Sequence, residues 1–185
     1  MTLLKTPICE FGKKAENFKL KSTYNKAIDL NDVKGKNGTL IMFICNHCPY
    51  VKAVIENIVQ DCKKLETDEI ISVAICSNDV KNHPEDSFEN MIKFSQNHKF
   101  NFSYLFDETQ EIAKNYGAVC TPDFFGYNKN LELQYRGRIR ELKDLKPVET
   151  GDSDLYKAMK QIAETGNGPK DQIPSMGCNI KWFNN

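Results

Sequence analysis

Residues 39–55 read TLIMFICNHCPYVKAVI. Thr39 to Ile44 form a short, continuous apolar run with β-branched and aromatic members, preceded by glycine. That pattern predicts a buried central strand. From Pro49 the period changes. Val51, Val54, Ile55 and Val59 recur at helical spacing, while Lys52, Glu56, Asp61, Lys63 and Lys64 fall largely elsewhere around the wheel. This predicts an amphipathic helix of about four turns. Proline suits the first helical position because its missing N–H would have no partner there. Cys48 is then the N-cap, its sulfur facing unbonded backbone N–H groups and the positive end of the helix dipole. Both favour thiolate over thiol, and cysteines so placed have pKa values lowered from about 8.5 to roughly 3.5–7.5.

Cys45 lies three residues earlier, in the strand-to-helix loop, and does not share the helix terminus. Cys48 therefore reads as the nucleophile and Cys45 as the thiol that resolves a mixed disulfide. His47 sits between them. Protonated, it would lower a thiol pKa further; neutral, it could relay a proton. The plain alternative is a solvent-exposed loop histidine.

Working outward, "FKLKSTYNKAIDL" reads as a hairpin or short strands, and "VKGKNG" as a turn-rich break. "IISVAI" (70–75) is a second buried strand. "NHPEDSFENMIKFSQNHKF" carries a helix start, with Pro84 early and Glu85 and Asp86 in the first turn. "FSYLF" (102–106) is a third strand. A short helix follows, opened by Asp107, Glu108 or Thr109 and closed at Gly117. "DFFGY" and "LELQYRGRI" flank "NKN" as a hairpin. A last helix is capped by Ser153 or Asp152, and the tail "IPSMGCNIKWFNN" shows no period. Strands alternating with helices imply βαβ units and a parallel sheet, with an antiparallel edge from the late hairpin.

The chain has 185 residues, which fits one domain with a real core, 1–185, its tail 170–185 packing back on it. The 25 basic residues are scattered among 25 acidic ones, and net charge is zero. No nucleic-acid footprint or membrane-surface patch is expected. No apolar run approaches a membrane span, and no secretory leader is recognisable, so a cytoplasmic protein is expected. The seven cysteines are an odd number, which argues against a complete intramolecular disulfide framework.

With a Cys-x-x-Cys motif set between a buried strand and a helix, the sequence resembles the thioredoxin-fold redoxins of the alkyl hydroperoxide reductase/thiol-specific antioxidant group. The stretches that carry the resemblance are "AENFKL", "FICNHCPYVKA", "SNDVKNHPEDSFENM", "YLFDETQEIAKNYGAVCTPDFF", "YRGRIR" and "PSMGCNIKW". It implies an α/β thioredoxin-like fold, a mixed central sheet flanked by helices with an N-terminal hairpin extension. It also implies a cis bond at Thr121–Pro122, facing the reactive cysteine, with the Thr121 backbone open to an incoming extended chain. The pattern departs from the family in two ways. Thioredoxin's resolving position falls on Val51 and its buried acid on Met42. The peroxiredoxin threonine, three residues before the nucleophile, is Cys45. The peroxiredoxin arginine falls near Pro122, while Arg136, Arg138 and Arg140 lie further along. Efficient peroxide reduction is therefore not expected.

Cys120, next to Thr121, reads first as a packed strand residue and second as a further redox thiol. Cys178 is either an additional resolving thiol, if the tail folds back, or a structural contact. Cys9, Cys62 and Cys76 read as structural. With only one cysteine pair, no metal and no cofactor are expected. The expected activity is thiol-disulfide exchange through Cys48 and Cys45, supported by His47, Pro49, Thr121 and Pro122. Its partners would be a protein or small-molecule disulfide and a cellular thiol reductant, with the protein a monomer or homodimer. The alternatives are a thiol peroxidase using Cys48, or a non-catalytic module that binds metal or thiols.

Overall fold

The computed structural model describes residues 2–148 and 150–183. Short strands β1 (Leu3–Lys5), β2 (Lys19–Ser22) and β3 (Ala27–Asp29) lead to β4 (Gly38–Phe43), buried at every position. Helix α1 (Pro49–Thr67) has 19 residues, more than the apolar spacing suggested. Next come β5 (Ile70–Cys76), a 3-10 turn at Pro84–Asp86, α2 (Phe88–Asn97), β6 (Ser103–Phe106) and α3 (Glu111–Tyr116). The chain continues through β7 (Cys120–Thr121), β8 (Asp123–Asn128), β9 (Leu133–Tyr135), β10 (Leu142–Lys143) and β11 (Lys146–Pro147). It closes with α4 (Asp154–Thr165) and β12 (Met176–Asn179).

The main sheet has seven strands in the order β3-β2-β6-β5-β4-β8-β9. β4, β5 and β6 are parallel; β2 joins β6, and β8 joins β4, antiparallel. The N-terminal hairpin thus extends the sheet at one edge, and the β8–β9 hairpin closes the other. Because strand side chains alternate, β4 serves two cores. Leu40 and Met42 face a core built with α1, α2 and α4, and Ile41 and Phe43 face one that includes Ala113 and Tyr116 of α3. This is the expected mixed sheet flanked by helices. No helix among the described residues is long and apolar enough to cross a membrane.

Three local expectations change. The second helix does not begin at Pro84. Pro84–Asp86 forms its own 3-10 turn, and α2 starts at Phe88 behind Ser87, whose hydroxyl accepts the Asn90 N–H. The third helix is entered through Gln110 in a left-handed conformation, although Asp107 still accepts the Ala113 N–H from outside the helix. The tail contains a strand: β12 lies between β1 and β7 in a separate three-stranded sheet. A four-residue strand leaves little periodicity to read. Asn184 and Asn185, the end of the expected tail, lie outside the described residues.

Candidate active site

Open α/β sheets place their sites beyond the carboxyl ends of parallel strands. Here β4 ends at Phe43, and Ile44 continues the ladder by donating to the Ile75 carbonyl. The chain then turns through Cys45–Asn46–His47 into α1, with Cys48 as the N-cap in extended conformation and Pro49 at the first helical position. Cys45 and Cys48 are both buried, 1% and 0% exposed.

The sulfur of Cys48 does not close a regular capping hydrogen bond. It lies 3.1 Å from the Thr121 carbonyl and 3.1 Å from the sulfur of Cys178. The thiol pKa is lowered. The Cys45 thiol, as a donor to the thiolate, contributes most; burial opposes, and the Cys178 thiol and the Val51 N–H add to the lowering. The Thr121 carbonyl, an acceptor, works the other way by holding the proton of the thiol form. Burial, reinforced by hydrogen bonding to Cys48, pushes the Cys45 thiol well above its ordinary value. Cys178 is raised to about 12, by burial first and then by its bond to Cys48. One acidic sulfur is thus bracketed by two proton-holding ones.

Thr121–Pro122 is cis. The Thr121 hydroxyl lies 3.3 Å from the Cys45 sulfur. Its backbone, however, is not open to an incoming chain. Thr121 pairs with Cys178 in the antiparallel β7–β12 ladder. The protein's own C-terminal strand occupies that edge, which sequence could not reveal because the partner is 57 positions away.

His47 is partly buried, its side chain 15% exposed, and its Nδ1 lies 2.6 Å from Asp86 Oδ2. That bond raises the histidine pKa, with burial opposing. Nδ1–H therefore donates to the carboxylate, and the plain loop reading does not hold. Asp86 also accepts the N–H groups of Asn46 and His47 and the amide of Asn78. Burial would raise its pKa, but these donors outweigh it and hold it below the usual value. Sequence reasoning placed Asp86 on a helix and missed this role. Nothing local marks it: Asp86 lies ten residues past the end of β5 and meets the Cys45–His47 loop only because β5 pairs with β4 in the sheet.

The sulfur of Cys45, His47 and Asp86 present ligand atoms within 4.8 Å of one another, the one such trio among the described residues. Both Asp86 oxygens already accept hydrogen bonds. Cys120 is buried, its thiol raised by burial, with Pro122 O as its acceptor at 3.8 Å. Val51 and Met42 are buried apolar residues. Arg136 is engaged with Asp123 and the Gly117 carbonyl, and Arg138 with Asp154. Beside Pro122, a cleft of about 260 Å³ is lined by Tyr50, Val54, Ile173, Pro174 and Met176, with Arg138 among its polar residues.

Among solved structures, an uncharacterized conserved protein from Geobacillus kaustophilus is 38% identical with a TM-score of 0.93, covering 99% of this chain and 97% of that one. A hypothetical protein from Sinorhizobium meliloti 1021 is 32% identical with a TM-score of 0.88, covering 97% of each chain. The thioredoxin domain of a thiol-disulfide oxidoreductase from Bacteroides vulgatus matches with a TM-score of 0.64 at 16% identity, covering 83% of this chain and 97% of that one, a likeness of fold. No curated protein matches the chain. The AhpC/TSA family model matches residues 11–142, from the turn before β2 through the reactive loop, the cis-proline and β9 to Leu142, and the chain belongs to the AhpC/TSA family, with the fold of a thioredoxin-like redoxin.

Proposed function

We propose that the protein is a thiol-disulfide oxidoreductase in which Cys48 is the nucleophile. The observation that carries this reading is an acidic sulfur at a helix start with a second cysteine sulfur 3.1 Å away. The Cys48 thiolate attacks a substrate disulfide, one substrate sulfur leaves as thiolate, and a mixed disulfide remains. A second thiol of the same chain then displaces the other substrate sulfur. Cys45 and Cys178 both adjoin Cys48 and are the two candidates for that step. The His47–Asp86 ion pair anchors the loop that carries both cysteines of the Cys45-x-x-Cys48 motif. Substrates on this reading are protein or small-molecule disulfides, and a cellular thiol reductant restores the dithiol, as suits a reducing compartment such as the cytoplasm.

Family membership favours a second reading, a thiol peroxidase using Cys48. Its support is weaker, since Cys45 stands three residues before the nucleophile and Arg136 is bound up with Asp123. Thiol counting separates the two. Reduced protein treated with oxidised glutathione should lose two thiols per chain, and Cys48→Ser none. Rapid stoichiometric consumption of hydrogen peroxide, with no reaction toward oxidised glutathione, would replace the first reading with the second.

A further inference from the structure

We propose that Cys178 is the resolving thiol of this site, closing a disulfide with Cys48 after Cys48 has taken up a substrate sulfur. This deepens the thiol-disulfide reading above and rests on it. The first support is contact. The two sulfurs are 3.1 Å apart, inside the roughly 3.5–4.0 Å of ordinary nonbonded contact. The second is how firmly β12 is held there. Cys178 pairs with Thr121 on one side and Leu3 on the other. On either flank, Ser175 Oγ donates to the Pro122 carbonyl and Ile180 N–H to the Val119 carbonyl. The third is Gly177. A Cβ there would lie 2.0 Å from the Thr121 carbonyl oxygen and 2.6 Å from its carbon. Only glycine lets the strand approach the cis-proline backbone closely enough to bring Cys178 against Cys48.

Cys45 has a different place. Its sulfur faces the Thr121 hydroxyl, and its thiol is the leading donor to the Cys48 thiolate. It supports the attacking sulfur from the strand side while Cys178 meets it from the tail. The high pKa of Cys178 does not bar its attack. Part of that elevation comes from the Cys48 charge, which disappears once Cys48 is in a mixed disulfide.

With substrate RS–SR, the Cys48 thiolate forms Cys48–S–S–R and releases RS⁻, which takes a proton from solvent. The Cys178 sulfur then bonds to the Cys48 sulfur, the S–SR bond breaks, and the Cys178 proton leaves with the substrate as RSH. The substrate disulfide gains two electrons from the two protein thiols.

The test uses the reduced full-length chain, stoichiometric oxidised glutathione, acid quenching, alkylation and peptide mapping. The expected product is a Cys48–Cys178 disulfide in the wild type and in Cys45→Ser. Cys178→Ser should accumulate Cys48 bound to glutathione, with release of the second glutathione slowed about tenfold or more. Gly177→Ala should take up glutathione at Cys48 but close the disulfide more slowly, by moving the strand without removing a thiol. A Cys45–Cys48 disulfide in the wild type, with Cys178→Ser releasing glutathione at the wild-type rate, overturns the assignment and leaves the exchange reading standing. Absence of any glutathione adduct or disulfide at Cys48 in every variant overturns both.

Discussion

Two helix starts in this protein have the same backbone and opposite uses. Ser153 caps α4 and Cys48 caps α1, both in extended conformation. The Ser153 hydroxyl accepts the Tyr156 N–H at 2.9 Å and donates to the buried carboxylate of Asp61. Both of these bonds hold the fold. The Cys48 sulfur makes no cap bond of regular geometry, though the Val51 N–H still steadies its thiolate, and its close contacts are with Thr121 and Cys178 instead. A helix terminus whose side chain satisfies its own backbone is structural. One whose side chain is held by groups from elsewhere in the chain keeps its electrostatic field available for chemistry.

The comparison is most sharply tested at Cys48. Cys48→Ser should abolish glutathione uptake, by about three orders of magnitude or more, while far-ultraviolet circular dichroism stays unchanged, because serine is a competent N-cap. A variant that keeps exchanging disulfides would remove the distinction between the two caps. Next in size is Asp86→Asn. Without the carboxylate, the raised pKa of His47 falls back and the loop loses its anchor, so uptake at neutral pH should slow about tenfold. A histidine titration by NMR should show the lower pKa directly.

Cys45→Ala removes the leading donor to the thiolate. Iodoacetamide modification of the wild type should follow a protonation curve whose midpoint lies well below 9.0, since the folded pKa is depressed. In Cys45→Ala that midpoint should move up, and the rate at pH 6 should drop several-fold, about 1 kcal/mol or less. An unmoved midpoint would shift the stabilisation to the helix and Cys178. The smallest effect on chemistry belongs to the other cap. Ser153→Ala should lower stability by about 2–4 kcal/mol, because it removes both the cap bond and the donor to buried Asp61. For a chain of this length each kcal/mol is about 2–4 °C in melting temperature. Glutathione uptake should stay at the wild-type rate.

Much of the fold is legible in local sequence. A continuous apolar run ending in a turn and a proline-led helix is local information, so β4, α1 and the N-cap position of Cys48 follow from residues 39–59. The same is true of the β8–β9 hairpin and of the start of α4, where the sequence offers Ser153 or Asp152 as the cap and Ser153 takes the position. Asp86 was misread because acidic residues after a proline carry the statistics of a helix start. The signal that it belongs to a neighbouring strand's loop lies in sheet order, and β4 and β5 become neighbours only through pairing.

Chain order alone determined which sulfur stands at a helix start, since capping depends on residues within one turn of each other. The company that sulfur keeps was decided by tertiary structure. Cys178 reaches Cys48 across 130 positions, through a four-residue strand too short to carry a period and a glycine whose necessity appears only beside the Thr121 carbonyl. Local sequence encodes backbone preference within a few residues, whereas contact between distant groups depends on how the sheets are ordered and packed.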